Sequence, residues 1–139
     1  MSEENVEVVR ELMRGFNDRD ESVISHYAED ADYRLIGGFS GMAGQSIKGR
    51  EAILQFAFEL IENLGARFEV EKLFEANDRV VLIANTVGAG DASGAPITQR
   101  WGQVYTFREG KITAVDNYWD ANEALEAVGL SEQDAHADS

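Results

Sequence analysis

Cysteine is missing from the chain altogether, which excludes disulfides, thiolate nucleophiles and Cys-ligated zinc. Histidine is confined to His26 and His136, so a His-rich metal site is excluded too, and no metal or organic cofactor is expected. Long apolar runs are also lacking: nothing approaches the about 18 apolar residues of a membrane span. The opening MSEENVEVVREL is acidic and amphipathic, where a signal peptide would be basic and then apolar. The chain is therefore expected to be soluble and cytoplasmic. Positive charge is scarce, with 12 Lys and Arg against 26 Asp and Glu for a formal net charge of -14. Such a balance opposes binding to a nucleic-acid backbone or an anionic membrane, and neither partner is expected.

What is present suffices for one domain over residues 1–129, large enough to bury roughly two thirds of its unfolded surface. Residues 130–139 read as an acidic tail without apolar residues to dock it, which sets His136 aside. Val6, Val9, Leu12, Met13 and Phe16 recur at spacings of three and four, predicting a helix over residues 3–18. NDRD interrupts that pattern, and Val23, Ile24 and Tyr27 resume it as a short second helix over 21–28. Residues 32–36 alternate weakly as a strand, and GGFSGMAGQ follows as a glycine-rich loop. Ile53, Leu54, Phe56, Ala57, Leu60, Ile61 and Leu64 then mark a third helix that Gly65 ends.

Beyond Gly65 the period becomes strand-like. Residues 67–75, 79–87, 97–107 and 111–119 read as four strands, joined at Asn77-Asp78, GAGDASGAP and Arg108-Glu109-Gly110, an antiparallel meander. Asp120 and Glu123 fit a capping pattern ahead of a short helix over 121–128. Helices segregated from antiparallel strands indicate an α+β fold, with helices against one sheet face. A curved sheet with helices across its concave side encloses an interior.

That order, with ENVEVVRELMRGFNDRD, HYAEDADYRL, IKGREAILQF and GQVYTFREGKITAVDNYWD, resembles the nuclear transport factor 2-like (NTF2-like) superfamily and, within it, the SnoaL-like proteins. The resemblance spans about residues 3–128. It implies a cone-shaped α+β fold, with a curved antiparallel sheet, three helices on the concave side and a short C-terminal helix. It also implies a pocket inside the cone and a homodimer through the outer sheet face. Fold alone does not choose an activity here, because the superfamily includes isomerases, hydrolases, dehydratases, cyclases and non-catalytic members. Matching Tyr118-Trp119-Asp120 to the family's last strand turns Thr113, Val115, Asn117 and Trp119 inward, and Ile112, Ala114, Asp116 and Tyr118 outward.

The family's catalytic patterns are poorly met. At the positions of the ketosteroid isomerase acid, base and tyrosine stand Gln103, Leu35 and Leu12. The last-strand Asp of limonene-epoxide hydrolases matches Asn117, and the Arg-x-Asp of their third strand falls in Ile83-Ala84-Asn85-Thr86-Val87, where neither residue occurs. For a SnoaL-type cyclase, which leans on a pocket Asp or His, Asp116 has the outward parity and His26 is the remaining acid-base candidate.

Asn117 and Gln103 share the inward parity on neighbouring strands and could bond to a ligand oxygen or to one another. Trp101, Tyr105 and Trp119 could wall a flat apolar ligand, with Tyr27, Tyr33 and Leu35 beside them; each serves equally as core packing. Arg100 faces outward. GQSIKGRE lacks the Lys and hydroxyl residue of a phosphate-binding loop, and Glu29-Asp30-Ala31-Asp32 lacks the glycine and distant Glu of an EF-hand. Three functional readings stay open. The cone binds a small, mostly apolar, oxygen-bearing molecule; or it is an isomerase, cyclase or hydratase using His26, or an aspartate of other register, as acid-base, with Asn117 a separate catalytic candidate; or its interior is filled and the fold serves association alone.

Overall fold

A computed structural model of the chain describes residues 2–36, 44–88 and 97–130. Most of the glycine-rich loop, the hairpin loop after Gly88 and the tail from residue 131 onward lie outside the described residues. Helix α1, Ser2–Asn17, carries Glu3 and Glu4 in its first turn, where acidic side chains favour the helix dipole. Val9, Leu12, Met13 and Phe16 form its buried face. The side chain of Asn17 pins the end of α1 to the sheet, donating from Nδ2 to the Phe68 carbonyl at 2.8 Å and accepting from the Phe68 N–H at 2.7 Å.

The second helix is shorter than its periodicity predicts. It is a 3₁₀ helix, Glu21–His26, capped by Asp20, and the chain is already extended at Tyr27. Strand β1, Tyr27–Ile36, follows and pairs with a three-residue edge strand, β2, Ser46–Lys48. Helix α2, Arg50–Leu64, ends at Gly65 with φ 57°, a left-handed conformation that glycine adopts without a Cβ penalty.

Strands β3, Ala66–Ala76, β4, Arg79–Gly88, β5, Ile97–Arg108, and β6, Lys111–Tyr118, form the expected meander. Asn77 and Asp78 both have positive φ, as do Glu109 and Gly110, matching the two-residue turns whose twist suits a hairpin. The sheet order is β2-β1-β6-β5-β4-β3. One pairing departs from an all-antiparallel sheet: β1 runs parallel to β6, so the sheet is mixed. Local hairpin signals join only neighbours in sequence, and this pair closes across some 80 positions, as with Leu35 and Asn117.

Register shifts bend the sheet at three places: on β3 between Val70 and Lys72, between β5 and β6 at Thr113, and between β1 and β6 over residues 28–31. Bulges of this kind add local twist and re-aim side chains. The concave face packs α1, the 3₁₀ helix and α2 around Tyr27, Leu82, Ala84, Tyr105 and Val115. Helix α3, Ala121–Ala127, lies on the opposite face over Val81, Ile83 and Val104. Gly102 on β5 makes that approach possible, since a Cβ there would sit 2.5 Å from the Cβ of Ala124. Leu130, placed with the tail by composition, packs partly against this second cluster and donates its N–H to Leu125 at 2.9 Å.

Candidate functional site

Among the described residues the inner face is mostly apolar, and its polar side chains gather where three strands meet, with Thr86 apart on β4. Gln103 on β5 stands opposite Asn117 on β6, and Leu35 on β1 flanks Asn117 on its other side. Tyr33 lies two residues before Leu35, opposite Val115, which also faces Tyr105. Strand alternation places these side chains on one face, and the pairing register makes them neighbours. Gln103 and Asn117 are only 5% and 4% exposed, and amides buried that deeply need partners.

They find them in one another. Asn117 Nδ2 donates to the Arg34 carbonyl at 3.0 Å, and its Oδ1 accepts from Gln103 Nε2 at 2.6 Å. Gln103 Nε2 also donates to the Tyr33 hydroxyl at 3.2 Å, and Gln103 Oε1 accepts from the Tyr105 hydroxyl. Burial is the main cause that pushes the Tyr27, Tyr33 and Tyr105 phenols above their ordinary value; for Tyr33 the hydrogen bond from Gln103 partly offsets it. All three therefore stay neutral hydroxyls at physiological pH. Among the described residues, the buried polar residues of the inner face are Thr86, Gln103 and Asn117, none of which ionises near neutrality.

Aromatic side chains extend the site along β5 and α2. The Tyr33 ring lies 5.7 Å from that of Phe56, and Trp101 meets Phe68 edge-on at 5.4 Å. Trp101 is half-buried, and Thr86 fixes it by accepting from its indole N–H at 2.7 Å. Sequence reasoning passed over Thr86; the signal was its place two residues after Ala84 on an inward parity otherwise made of apolar residues. Trp119, just past the end of β6, is 46% exposed and forms no part of the buried wall.

The structure corrects the inward parity at one point. Thr113 is the extra residue of the β5–β6 bulge, so Ile112 and Val115 both join the inner core. Thr113 is left donating to the Thr106 carbonyl at 3.2 Å. It lines an open hollow of about 560 Å³ with Ala28, Asp30, Arg108, Glu109 and Lys111. A second open hollow, of about 420 Å³, lies at the start of α2 around Lys48, Gly49 and Arg50.

His26 is not brought to the amide cluster. Its Nε2 lies 3.6 Å from Glu11 Oε2 between α1 and the end of the 3₁₀ helix, and both side chains are partly exposed. Asp116 lies on the outer face, ion-paired to Arg34, and Arg100 pairs with Glu71 at 2.8 Å. Asp120 caps α3, accepting from the Asn122 N–H at 2.9 Å. Among the described residues no group of three or more His, Asp or Glu could hold a metal ion. No described helix is long and apolar enough to cross a membrane.

The family described as SnoaL-like domain matches residues 9–115. No curated protein matches the chain. Among solved structures, TerC co-crystallized with polyporic acid shares 26% identity over 90% of this chain and 97% of its own, with a TM-score of 0.70. An NTF2-like protein of unknown function from Burkholderia pseudomallei shares 22% identity over 94% of this chain and 100% of its own, at a TM-score of 0.70. Bal32a, from a soil-derived mobile gene cassette, shares 21% identity over 91% of this chain and 97% of its own, at a TM-score of 0.72.

Proposed function

The chain belongs to the SnoaL-like domain family, and from that premise we propose that its cone binds a small, mostly apolar molecule bearing an oxygen. One observation carries the reading: among the described residues, the uncharged side chains of Gln103, Tyr105 and Asn117 are buried and hydrogen-bonded together, with the half-buried Tyr33 bonded to Gln103, on an inner face that is apolar elsewhere but for Thr86. Burying polar side chains offers little net stability over an apolar core of the same shape, so a cluster placed on the inner face of a binding fold is more economically explained by recognition. Phe56 and Trp101 supply flat apolar walls beside it, the mixture of aromatic lining and few placed polar groups that small-molecule sites use.

The acid-base reading draws less support. His26 has an orienting carboxylate in Glu11, but both stand at the surface between helices, and a general base must reach its proton within hydrogen-bond distance. The test uses a neutral derivative of the molecule co-crystallized with TerC. Titrating the protein with the neutral dimethyl ether of polyporic acid while following tryptophan emission is expected to give saturable quenching, through Trp101 at the cone. Emission that declines linearly to about 1 mM, without saturation, would count against the binding reading.

We also propose that two copies pair through the outer sheet face. Helix α3 covers β4 and β5 there, while the β6–β1 portion presents the Arg34–Asp116 ion pair and Tyr118.

A further inference from the structure

Resting on the reading of the cone as a ligand site, the geometry points to Tyr33 as the side chain that donates a hydrogen bond to the ligand. The ligand is then one that accepts at that point: a ketone, quinone or comparable neutral carbonyl oxygen. One group in the cluster has no choice of role. The backbone carbonyl of Arg34 can only accept, so the Asn117 atom 3.0 Å from it is the amide nitrogen. The other Asn117 terminus is therefore the oxygen, and the Gln103 atom 2.6 Å from that oxygen is Nε2. Gln103 Oε1 is left to face Tyr105, whose hydroxyl must donate to it. The second hydrogen on Gln103 Nε2 goes to the Tyr33 hydroxyl oxygen at 3.2 Å, so Tyr33 receives. Each link takes its polarity from the one before, and none can reverse alone.

One hydrogen remains undirected at the end of this chain. Tyr33 accepts from Gln103, and among the described residues its own hydroxyl hydrogen has no acceptor. The polar atoms of Gln103 and Asn117 are already engaged, so these two are positioning residues, and the contact with ligand falls to Tyr33. Burial holds the Tyr33 phenol above its ordinary value, which keeps it a donor across the physiological range. Among the described residues, the buried inner-face polar residues carry no positive charge. An anionic acceptor would lose its hydration there without a counter-ion, and a neutral carbonyl fits better.

Two matched pairs of probes test the assignment on the full chain: 9-fluorenone with fluorene, and acetophenone with ethylbenzene. Within each pair the difference is the carbonyl oxygen. Calorimetric titration is expected to show the ketone of at least one pair binding about tenfold more tightly than its hydrocarbon. The infrared carbonyl stretch of that bound ketone should fall below its value in hexane. Tyr33→Phe should remove both the preference and the shift. Equal binding of ketone and hydrocarbon with an unshifted stretch overturns the assignment while leaving the ligand site standing. A shift retained in Tyr33→Phe overturns it as well, because another group is then the donor. If none of the four probes binds, the ligand-site reading fails and the inference falls with it. Should Tyr33→Phe not fold, the affinity ratio and carbonyl stretch of the unaltered protein decide the matter by themselves.

Discussion

Asn117 keeps its orientation because its Nδ2 donates to the Arg34 carbonyl, and Asn117→Asp tests what that donor is worth. An ionised Asp would turn an oxygen toward that carbonyl in a site only 4% exposed, so burial and repulsion raise its folded pKa above the roughly 3.9 of an unfolded Asp. The sign follows from linkage: below the unfolded value both states are protonated, and the acid O–H can still donate to the carbonyl. As the pH rises through the folded value the charged form is forced and stability is lost. The expected cost relative to the unaltered protein is about 2–4 kcal/mol at pH 8, shrinking toward pH 4. Urea denaturation of both proteins across that range measures the gap, and a gap independent of pH would show that the carboxylate sits in water. The inward parity of Asn117 was legible because its strand is regular from Ala114 to Tyr118. The parity of Thr113 was not, because a bulge of one residue leaves no mark in an alternating pattern.

Gly102 governs how an element docks. Its missing Cβ would lie 2.5 Å from Ala124 Cβ, 3.3 Å from Ile83 Cδ1 and 3.4 Å from Ala121 Cα, so Gly102→Ala must push α3 off β5. A cost of about 1–3 kcal/mol is expected from overpacking. Ala124→Gly in the same chain should recover part of it, despite a helix-propensity loss of about 1 kcal/mol. A double-mutant cycle by chemical denaturation reads the coupling, and strictly additive effects would mean that the two positions do not press on one another. Other elements show what sequence conveys. The stripe of α1, the Gly65 cap and the turns at Asn77-Asp78 and Glu109-Gly110 are local signals, and each was found within a residue or two. Val23, Ile24 and Tyr27 satisfy a helical period equally well as a 3₁₀ turn running into a strand, so the beginning of β1 was read too late. Strand β2 is three residues long, too short for any period, and the parallel β1–β6 pairing is a tertiary choice that no local pattern encodes.

At the scale of the whole molecule, charge and association oppose one another. Each chain carries a formal net charge of -14, so two copies meeting through the outer face repel until salt screens them, over a Debye length of about 10 Å at 0.1 M. Helix α3 already occupies part of that face, which leaves the β6–β1 portion with the Arg34–Asp116 pair to supply contact. An ion pair partly exposed in the monomer adds little affinity by itself, whereas the general repulsion acts between all acidic groups of both chains. Association should therefore strengthen as salt rises, the reverse of an interface held by complementary charges. Light scattering at about 50 μM protein, from about 20 mM to 300 mM sodium chloride, is expected to show the weight-average mass climbing from nearer one chain toward two. A mass that stays at one chain throughout would refute pairing through this face. A mass that falls with salt would mean that opposite charges hold the copies together, through a surface other than the one inferred.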